Sequence, residues 1–254
     1  MRKHDAVNKK CGGINLEITS VFFDLDDTLH DHQKPFVEAF EHCFPKEAKI
    51  IPHDAAYKKL RKYSDILWED VVADKMTIVE MRIDRIKRVH ADFGSTISDE
   101  EALYFQERYE EELDNIRLFP EVKRVLSTLL EHDYEVGIIT NGPAEHQAKK
   151  IKRLGLDEFI PADRIIISGQ MGVAKPDQRI YDEAINRVKQ SPNTCLYIGD
   201  SWINDVAGAI DAGWQAVWFN IRKRKPDTNH KPVLETKQLT DILRLLNIPI
   251  QKAI

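Results

Sequence analysis

Two acids two positions apart, Asp24 and Asp26, follow directly on the apolar run Val21-Phe22-Phe23. Alternate side chains of extended backbone share a face, so this pair can converge. Carboxylates placed this way suit binding of a hard cation, attack by a carboxylate oxygen, or proton transfer. Acids at the end of a buried strand repel one another and lose hydration, so the fold must bring cations or donors to them. An acidic turn after a hydrophobic strand is the alternative reading of this stretch alone, since Asp is common in turns.

Other parts of the chain carry groups that could complete such a site. Thr140-Asn141-Gly142 closes the run Val136-Gly137-Ile138-Ile139, bringing a hydroxyl and exposed backbone N–H groups to the start of a helix, an arrangement that suits a phosphate oxygen. Lys175-Pro176 follows the glycine-containing loop 169–174; its ammonium could reach the same anion, although a lysine standing alone is ordinarily solvated. Pro176 is expected in the first turn of the helix starting near 178. Gly199-Asp200 ends the run Cys195-Leu196-Tyr197-Ile198, and Asp205 stands where the next helix begins. Asp200 can join Asp24 and Asp26 around a metal, and Asp205 can hold the lysine or a metal-bound water. An N-terminal helix cap is the simpler role for Asn204 or Asp205.

These residues need strands and helices to carry them. From residue 120 the pattern alternates: helix 121–131, strand 135–140, helix 144–154, strand 164–168, helix 178–189, strand 194–198, helix 204–212 and strand 216–219. Such alternation predicts a doubly wound parallel sheet covered on both faces, with the chemistry at the carboxyl ends of its strands. Between Leu29 and residue 116 the sequence is helical instead. One helical stretch covers 55–72; Val79, Ile83, Ile86, Val89 and Phe93 recur at helical spacing behind a Thr77/Glu80 capping box; Ser98 and Glu101 repeat the signal before Tyr104, Phe105 and Tyr109. The expected division is therefore a flexible leader 1–17, a core of 18–33 with 117–254, and a helical insertion 34–116.

The 254 residues are 42% hydrophobic and 31% charged, with a net charge of -5. That composition is ordinary for a soluble globular chain and gives no reason to expect a nucleic acid polymer as partner. No run approaches the ~18 apolar residues of a membrane span, and the N-terminus lacks the apolar core of a signal peptide, so a cytoplasmic protein is expected. Cys11, Cys43 and Cys195 are odd in number and widely spaced, which indicates neither a disulfide framework nor a zinc clip. The basic run Arg222-Lys223-Arg224-Lys225 reads as a solvated loop, and Leu239, Ile242, Leu243 and Leu246 mark a terminal amphipathic helix. No feature specifies an oligomeric state.

Asp24-x-Asp26-x-Thr28, Thr140, Lys175-Pro176 and Gly199-Asp200 with Asp205 occur in the order of the four motifs of the haloacid dehalogenase-like (HAD) hydrolases, which this chain resembles from about 21 to 220. The resemblance implies a Rossmann-like core with an inserted all-helical C1-type cap, Mg2+ as cofactor, and a small soluble phosphomonoester as substrate. It implies Asp24 as nucleophile, Asp26 as general acid and base, Thr140 and Asn141 at the phosphate, and Lys175 as the neutralising cation. Asp24, the backbone carbonyl of Asp26, and Asp200 would hold the metal, with Thr28 and Asp205 supporting them. Within the helical insertion Leu67-Trp68, Met76-Thr77, Glu80 and Arg85 resemble a pyrimidine 5'-nucleotidase-like subgroup, although Ala73-Asp74-Lys75 stands where that subgroup often has Gly.

That finer likeness implies a pyrimidine 5'-nucleotide first and a sugar or other metabolite phosphate second. Trp68 could stack on a base and Arg85 could meet a polar edge or second phosphate; packing inside the insertion and a solvated helix face are the plainer roles. His30 and His32 could enter the cleft from the hinge, with a hinge surface the plainer expectation. Three rivals share the fold. A dehalogenase would usually lack the acid at Asp26, a phosphomutase would keep the phosphoryl group, and a phospho-ligand sensor would bind without turnover.

Overall fold

The computed structural model describes residues 10–11, 14–15 and 17–249. Contacts divide the chain into two units, 1–31 with 117–254, and 32–116. In the described part of the expected leader, β1 (Lys10–Cys11) pairs antiparallel with β2 (Ile14–Asn15); the rest of that leader, residue 17 aside, lies outside the described residues.

The first unit is built on β3 (Ser20–Phe23), all four residues of which are buried. A strand apolar on both faces can only be central in a sheet covered on both sides. Here β3 lies parallel between β4 (Glu135–Thr140) and β6 (Cys195–Gly199), with Phe23 level with Ile138 on one side and Ile198 on the other. Outward from β4 comes β5 (Ile165–Ile167), and outward from β6 come β7 (Gln215–Phe219) and β8 (Leu234–Thr236), all parallel, in the order β5-β4-β3-β6-β7-β8. This register brings Asp24, Thr140 and Asp200 to the same edge of the sheet.

Helices α5 (Val122–Glu131), α6 (Ala144–Arg153), the single turn α7 (Ser168–Met171), α8 (Gln178–Val188), α9 (Gly208–Asp211) and α10 (Thr240–Leu245) follow the strands. One large cluster joins Phe22, Ile139 and Tyr197 of the sheet to Ile180, Tyr181 and Ala184 of α8 and to Trp214. Gly137 of β4 makes room for it: a Cβ there would lie 2.2 Å from the Phe22 ring and 2.9 Å from the Arg164 carbonyl oxygen.

Three local readings are corrected. Pro176 is not in the first turn of α8, because Asp177 is the N-cap and accepts from the Arg179 N–H at 3.0 Å. The helix expected to begin at 204 opens earlier, as a π-helical turn over Trp202–Ala207 running into α9, and its N-cap is Ser201 rather than Asn204 or Asp205. The short β8 and α7 carry too few residues for a periodic signal.

The second unit is all helical: α1 (Lys34–Cys43), α2 (His53–Val72), α3 (Ile78–Asp92) and α4 (Asp99–Asp114). Both capping boxes form as expected, through Thr77 with Glu80 and Ser98 with Glu101. The interior is a cluster of rings, Phe36, Phe40, Phe44, Tyr57, Phe105 and Tyr109, whose edge and offset contacts exceed area burial alone. His32 is buried and meets the Tyr57 ring edge-on at 6.0 Å, so it is not the surface residue expected.

Replacing Gly137 by Ala forces the Phe22 ring and β3 apart. A loss of about 1–3 kcal/mol is expected, the usual cost of overpacking, read as a lower urea midpoint at unchanged slope; an unaltered midpoint would show that the sheet yields freely there.

Candidate active site

Asp24 is the first residue past β3, and its backbone N–H donates to the Ile198 carbonyl at 2.9 Å, so the ladder to β6 continues through it. Its buried carboxylate accepts from the Lys175 ammonium (Nζ to Oδ1, 2.7 Å) and from the Thr28 hydroxyl (3.3 Å). Lys175 is buried as well, and its Nζ also donates to Asp205 Oδ1 at 2.6 Å and to the Tyr197 hydroxyl at 2.7 Å. Tyr197 passes its own hydrogen to the Ile139 carbonyl at 2.7 Å. All three ammonium hydrogens are thus used, as a buried charge requires.

The loop carrying Lys175 is clasped by Asn141. The Asn141 side-chain amide donates to the Lys175 carbonyl and accepts from the Lys175 N–H, both at 2.9 Å. The other carboxylate in this cluster, Asp205, reaches back from the π-helical turn and accepts from the Ser201 N–H at 2.8 Å. It fits because residue 199 is glycine: a Cβ there would lie 2.4 Å from the Asp205 carboxyl carbon.

Asp26 sits in the turn after Asp24 and faces a different set of donors. Lys150 Nζ reaches both of its oxygens at 2.7 Å, His30 Nε2 meets Oδ1 at 2.8 Å, and Gln147 Nε2 donates to Oδ2 at 3.2 Å. His30 is fully buried against Asp26, which fits entry into the cleft and not the hinge surface. Gln147 also donates to the Thr140 hydroxyl at 2.6 Å. That hydroxyl keeps a hydrogen to give to an anion. Asp27 takes a left-handed backbone (φ 61°), a conformation Asp tolerates better than most residues, and receives a two-pronged bond from Arg222 at 3.1 and 2.6 Å.

Oxygens of Asp24, Asp200 and Asp205 lie within 4.8 Å of one another. Burial is the largest influence on Asp24 and, against the pull of Lys175, raises its carboxyl to about 7, with repulsion from Asp205 and Asp26 adding to it. Burial likewise raises Asp200 to about 8, followed by repulsion from Asp205, Asp24 and Asp27, while Arg224 works the other way. For Lys175 burial acts to lower the ammonium, but Asp205 and Asp24 outweigh it and hold it well above its ordinary range. Ionised together, the three acids carry more negative charge than Lys175 offsets. An all-oxygen donor set with surplus negative charge fits a hard divalent cation.

The structure thus gathers Asp24, Asp26, Thr28, Thr140, Asn141, Lys175, Asp200 and Asp205 at one edge of one sheet. Asn141 contributes by fixing the Lys175 loop, its side chain being occupied. Arg85 lies in the helical unit with Nη1 on Ser64 (3.0 Å), Nη2 on Gln106 (2.6 Å) and its guanidinium 5.9 Å from the centre of the Tyr109 ring, which ties three helices together. Trp68, in the same unit, is half-exposed. Gln147, Lys150, Tyr197, Arg222 and Arg224 were not singled out from sequence. Lys150 lies in Lys149-Lys150-Ile151-Lys152-Arg153, where nothing but burial distinguishes it from its neighbours. Arg222 and Arg224 are ion-paired to Asp27 and Asp200, so the basic run is not simply a solvated loop.

The family model of haloacid dehalogenase-like hydrolases matches residues 18–213. A glyceraldehyde 3-phosphate phosphatase of Methanothermobacter thermautotrophicus is 27% identical over 91% of this chain and 99% of its own length. The pyrimidine 5'-nucleotidase PynA of Streptococcus pneumoniae is 26% identical over 89% of this chain and 94% of its own. Among solved structures, the magnesium-bound HAD-hydrolase YfnB of Bacillus subtilis superposes with a TM-score of 0.66 at 24% identity, over 91% of this chain and 99% of that one, a likeness of fold.

In the presence of chelator, Asp24 and Asp200 keep their protons to about 7 and about 8 in the folded state, against 3.8 when unfolded. The folded state then binds more protons between roughly pH 4 and 8, and its stability falls as pH rises through that window. Melting temperatures of the chelated protein are expected to drop from pH 5 to pH 8, with a shallower drop in Asp200→Asn. A melting temperature that rises across the range would contradict this charge balance.

Proposed function

From its membership of the haloacid dehalogenase-like hydrolases, the family to which this chain belongs, we propose that it is a Mg2+-dependent phosphatase acting on a small phosphomonoester through an aspartyl-phosphate on Asp24. The observation that carries this reading is the buried Asp24 carboxylate at the end of the central strand, bonded to Lys175 and clustered with Asp200 and Asp205, while Asp26, one turn away, has donors of its own.

Phosphomonoester hydrolysis is so slow unaided that accelerations approach ~10^21, and charge neutralisation must supply much of that. An Asp24 oxygen attacks phosphorus as the bond to the leaving oxygen breaks, and protonated Asp26 gives that oxygen its hydrogen. Water then attacks the same phosphorus; Asp26 takes its proton, the bond to Asp24 breaks, and the nucleophile is restored. Lys175, bonded to Asp24, offsets the charge on nucleophile and phosphoryl group, while the Thr140 hydroxyl and the backbone N–H groups near Asn141 hold the phosphoryl oxygens. Asp24, Asp200 and the Asp26 carbonyl would hold Mg2+, whose chemistry is to neutralise charge on nucleophile and phosphate.

Within this class a pyrimidine 5'-nucleotide is the first substrate, supported by the name of one full-length relative. A sugar phosphate is the second reading, favoured by another relative's name and by the engagement of Arg85 within its own unit. The presence of an acid at Asp26 supports hydrolysis over dehalogenation.

Phosphate release from UMP, CMP, glyceraldehyde 3-phosphate and phosphoglycolate, with Mg2+ and with chelator, tests the proposal. Metal-dependent release is expected, reduced at least ~10^3-fold in Asp24→Asn, and metal-independent activity surviving in that variant would refute it. If the nucleotide reading holds, kcat/KM for UMP exceeds that for glyceraldehyde 3-phosphate; the reverse ranking favours the sugar phosphate.

A further inference from the structure

The chain after β7 returns along the acid-bearing edge of the sheet and is fastened at several points. Asn220 holds the backbone of Arg224 from both directions, donating to its carbonyl at 3.0 Å and accepting its N–H at 2.8 Å. Arg222 bonds Asp27 and Asp31. Thr228 accepts from Trp202 Nε1 at 2.7 Å, and His230 lies 2.9 Å from Asp211. This anchoring delivers the Arg224 guanidinium to Asp200, with Nη1 2.8 Å from Oδ2. The Asp200 side chain is 12% exposed and that of Arg224 37%, so the pair sits at the rim of the cluster formed with Asp24 and Asp205.

We propose that Arg224 is the resident counter-cation of Asp200 in the metal-free protein and gives up that carboxylate when a divalent cation binds, so that this residue sets the metal affinity of the site. The inference rests on Asp24 and Asp200 being metal ligands. Two effects of Arg224 oppose each other. A guanidinium that oriented Asp200 in advance would favour the metal; one that competes for its carboxylate and repels the incoming charge would disfavour it.

Competition wins on the geometry. The backbone that carries Asp200 is fixed without Arg224, because Trp218 Nε1 holds its carbonyl at 2.9 Å and Gly199 before it stands in the β6–β7 ladder. The repulsion between a divalent ion and a guanidinium on one carboxylate exceeds what a half-exposed ion pair contributes. Lys175, sealed among Asp24, Asp205 and Tyr197, cannot be exchanged in this way, whereas Arg224 swings out into water at little cost.

The test is calorimetric titration of Mg2+ into chelator-stripped protein without substrate. Arg224→Gln is expected to bind Mg2+ about 5- to 10-fold more tightly than wild type, and Arg224→Ala likewise. Arg224→Lys, which keeps the charge, and Lys225→Gln, which removes an exposed neighbouring charge, are expected within about twofold of wild type. Equal or weaker binding by both neutral variants overturns the exchange, as does equal tightening in Lys225→Gln, which would reduce the effect to general loop charge. Absence of Mg2+ binding in wild type and variants alike would instead overturn the assignment of the metal ligands, and the exchange with it.

Discussion

An ammonium group sealed between two carboxylates and a phenol is the constraint on which the rest of the active unit depends. Lys175 is out of water, and a charge so placed must be met on every donor or it costs several kcal/mol. Meeting it demands that Asp24, Asp205 and Tyr197 arrive together from the end of β3, the π-helical turn after β6 and the middle of β6 itself. It also demands that the loop bearing Lys175 be held still, which Asn141 does. The missing side chain at Gly199 is part of the same requirement, since any Cβ there would displace Asp205.

Around that core, opposite charges are matched locally but not completely. Lys175 serves Asp24 and Asp205, Lys150 serves Asp26, and Arg222 serves Asp27. Asp200 meets only the solvent-facing Arg224 among the ion pairs of the described residues. The shortfall falls where three carboxylates converge, and burial and mutual repulsion there raise Asp24 and Asp200. A site left short of positive charge is ready for a cation, and for a phosphate brought with one. Perturbed carboxyls at the end of a parallel sheet are a pattern that belongs to function more often than to stability.

The helical unit is organised on a different principle. Its interior is packed from aromatic rings with apolar neighbours, and several of its polar side chains join helix to helix, as Arg85 does between Ser64 and Gln106. Capping boxes at Thr77 and Ser98 satisfy N–H groups that would otherwise lack partners at the starts of α3 and α4. The exposed apolar side chains Ile66, Trp68, Ile78 and Val79 all belong to this unit.

Sequence by itself determined five of the six strands of the main sheet, most helices and the order of the acids. Buried parallel strands must be apolar throughout, and periodicity exposes them, as in β3, β4 and β6. Capping boxes are short-range chemistry and were legible too. Asp24, Asp26, Thr140, Lys175, Asp200 and Asp205 could be named because each stands beside a strand end or a turn signal. Only the tertiary structure decided which cations answer which acids. Arg224 stands in a basic run that reads as a solvated loop, and Lys150 and Gln147 on a helix rich in polar residues; the partners of Lys150, Arg224 and Gln147 lie 124, 24 and 121 positions away in the chain. A charge pair over such distances leaves no periodic trace, because it is made by strand register and loop anchoring rather than by neighbours in sequence. Arg85 shows the converse: a guanidinium that could meet a ligand by type was claimed by its own helices, since burial obliges an unpaired charge to find the nearest acceptors.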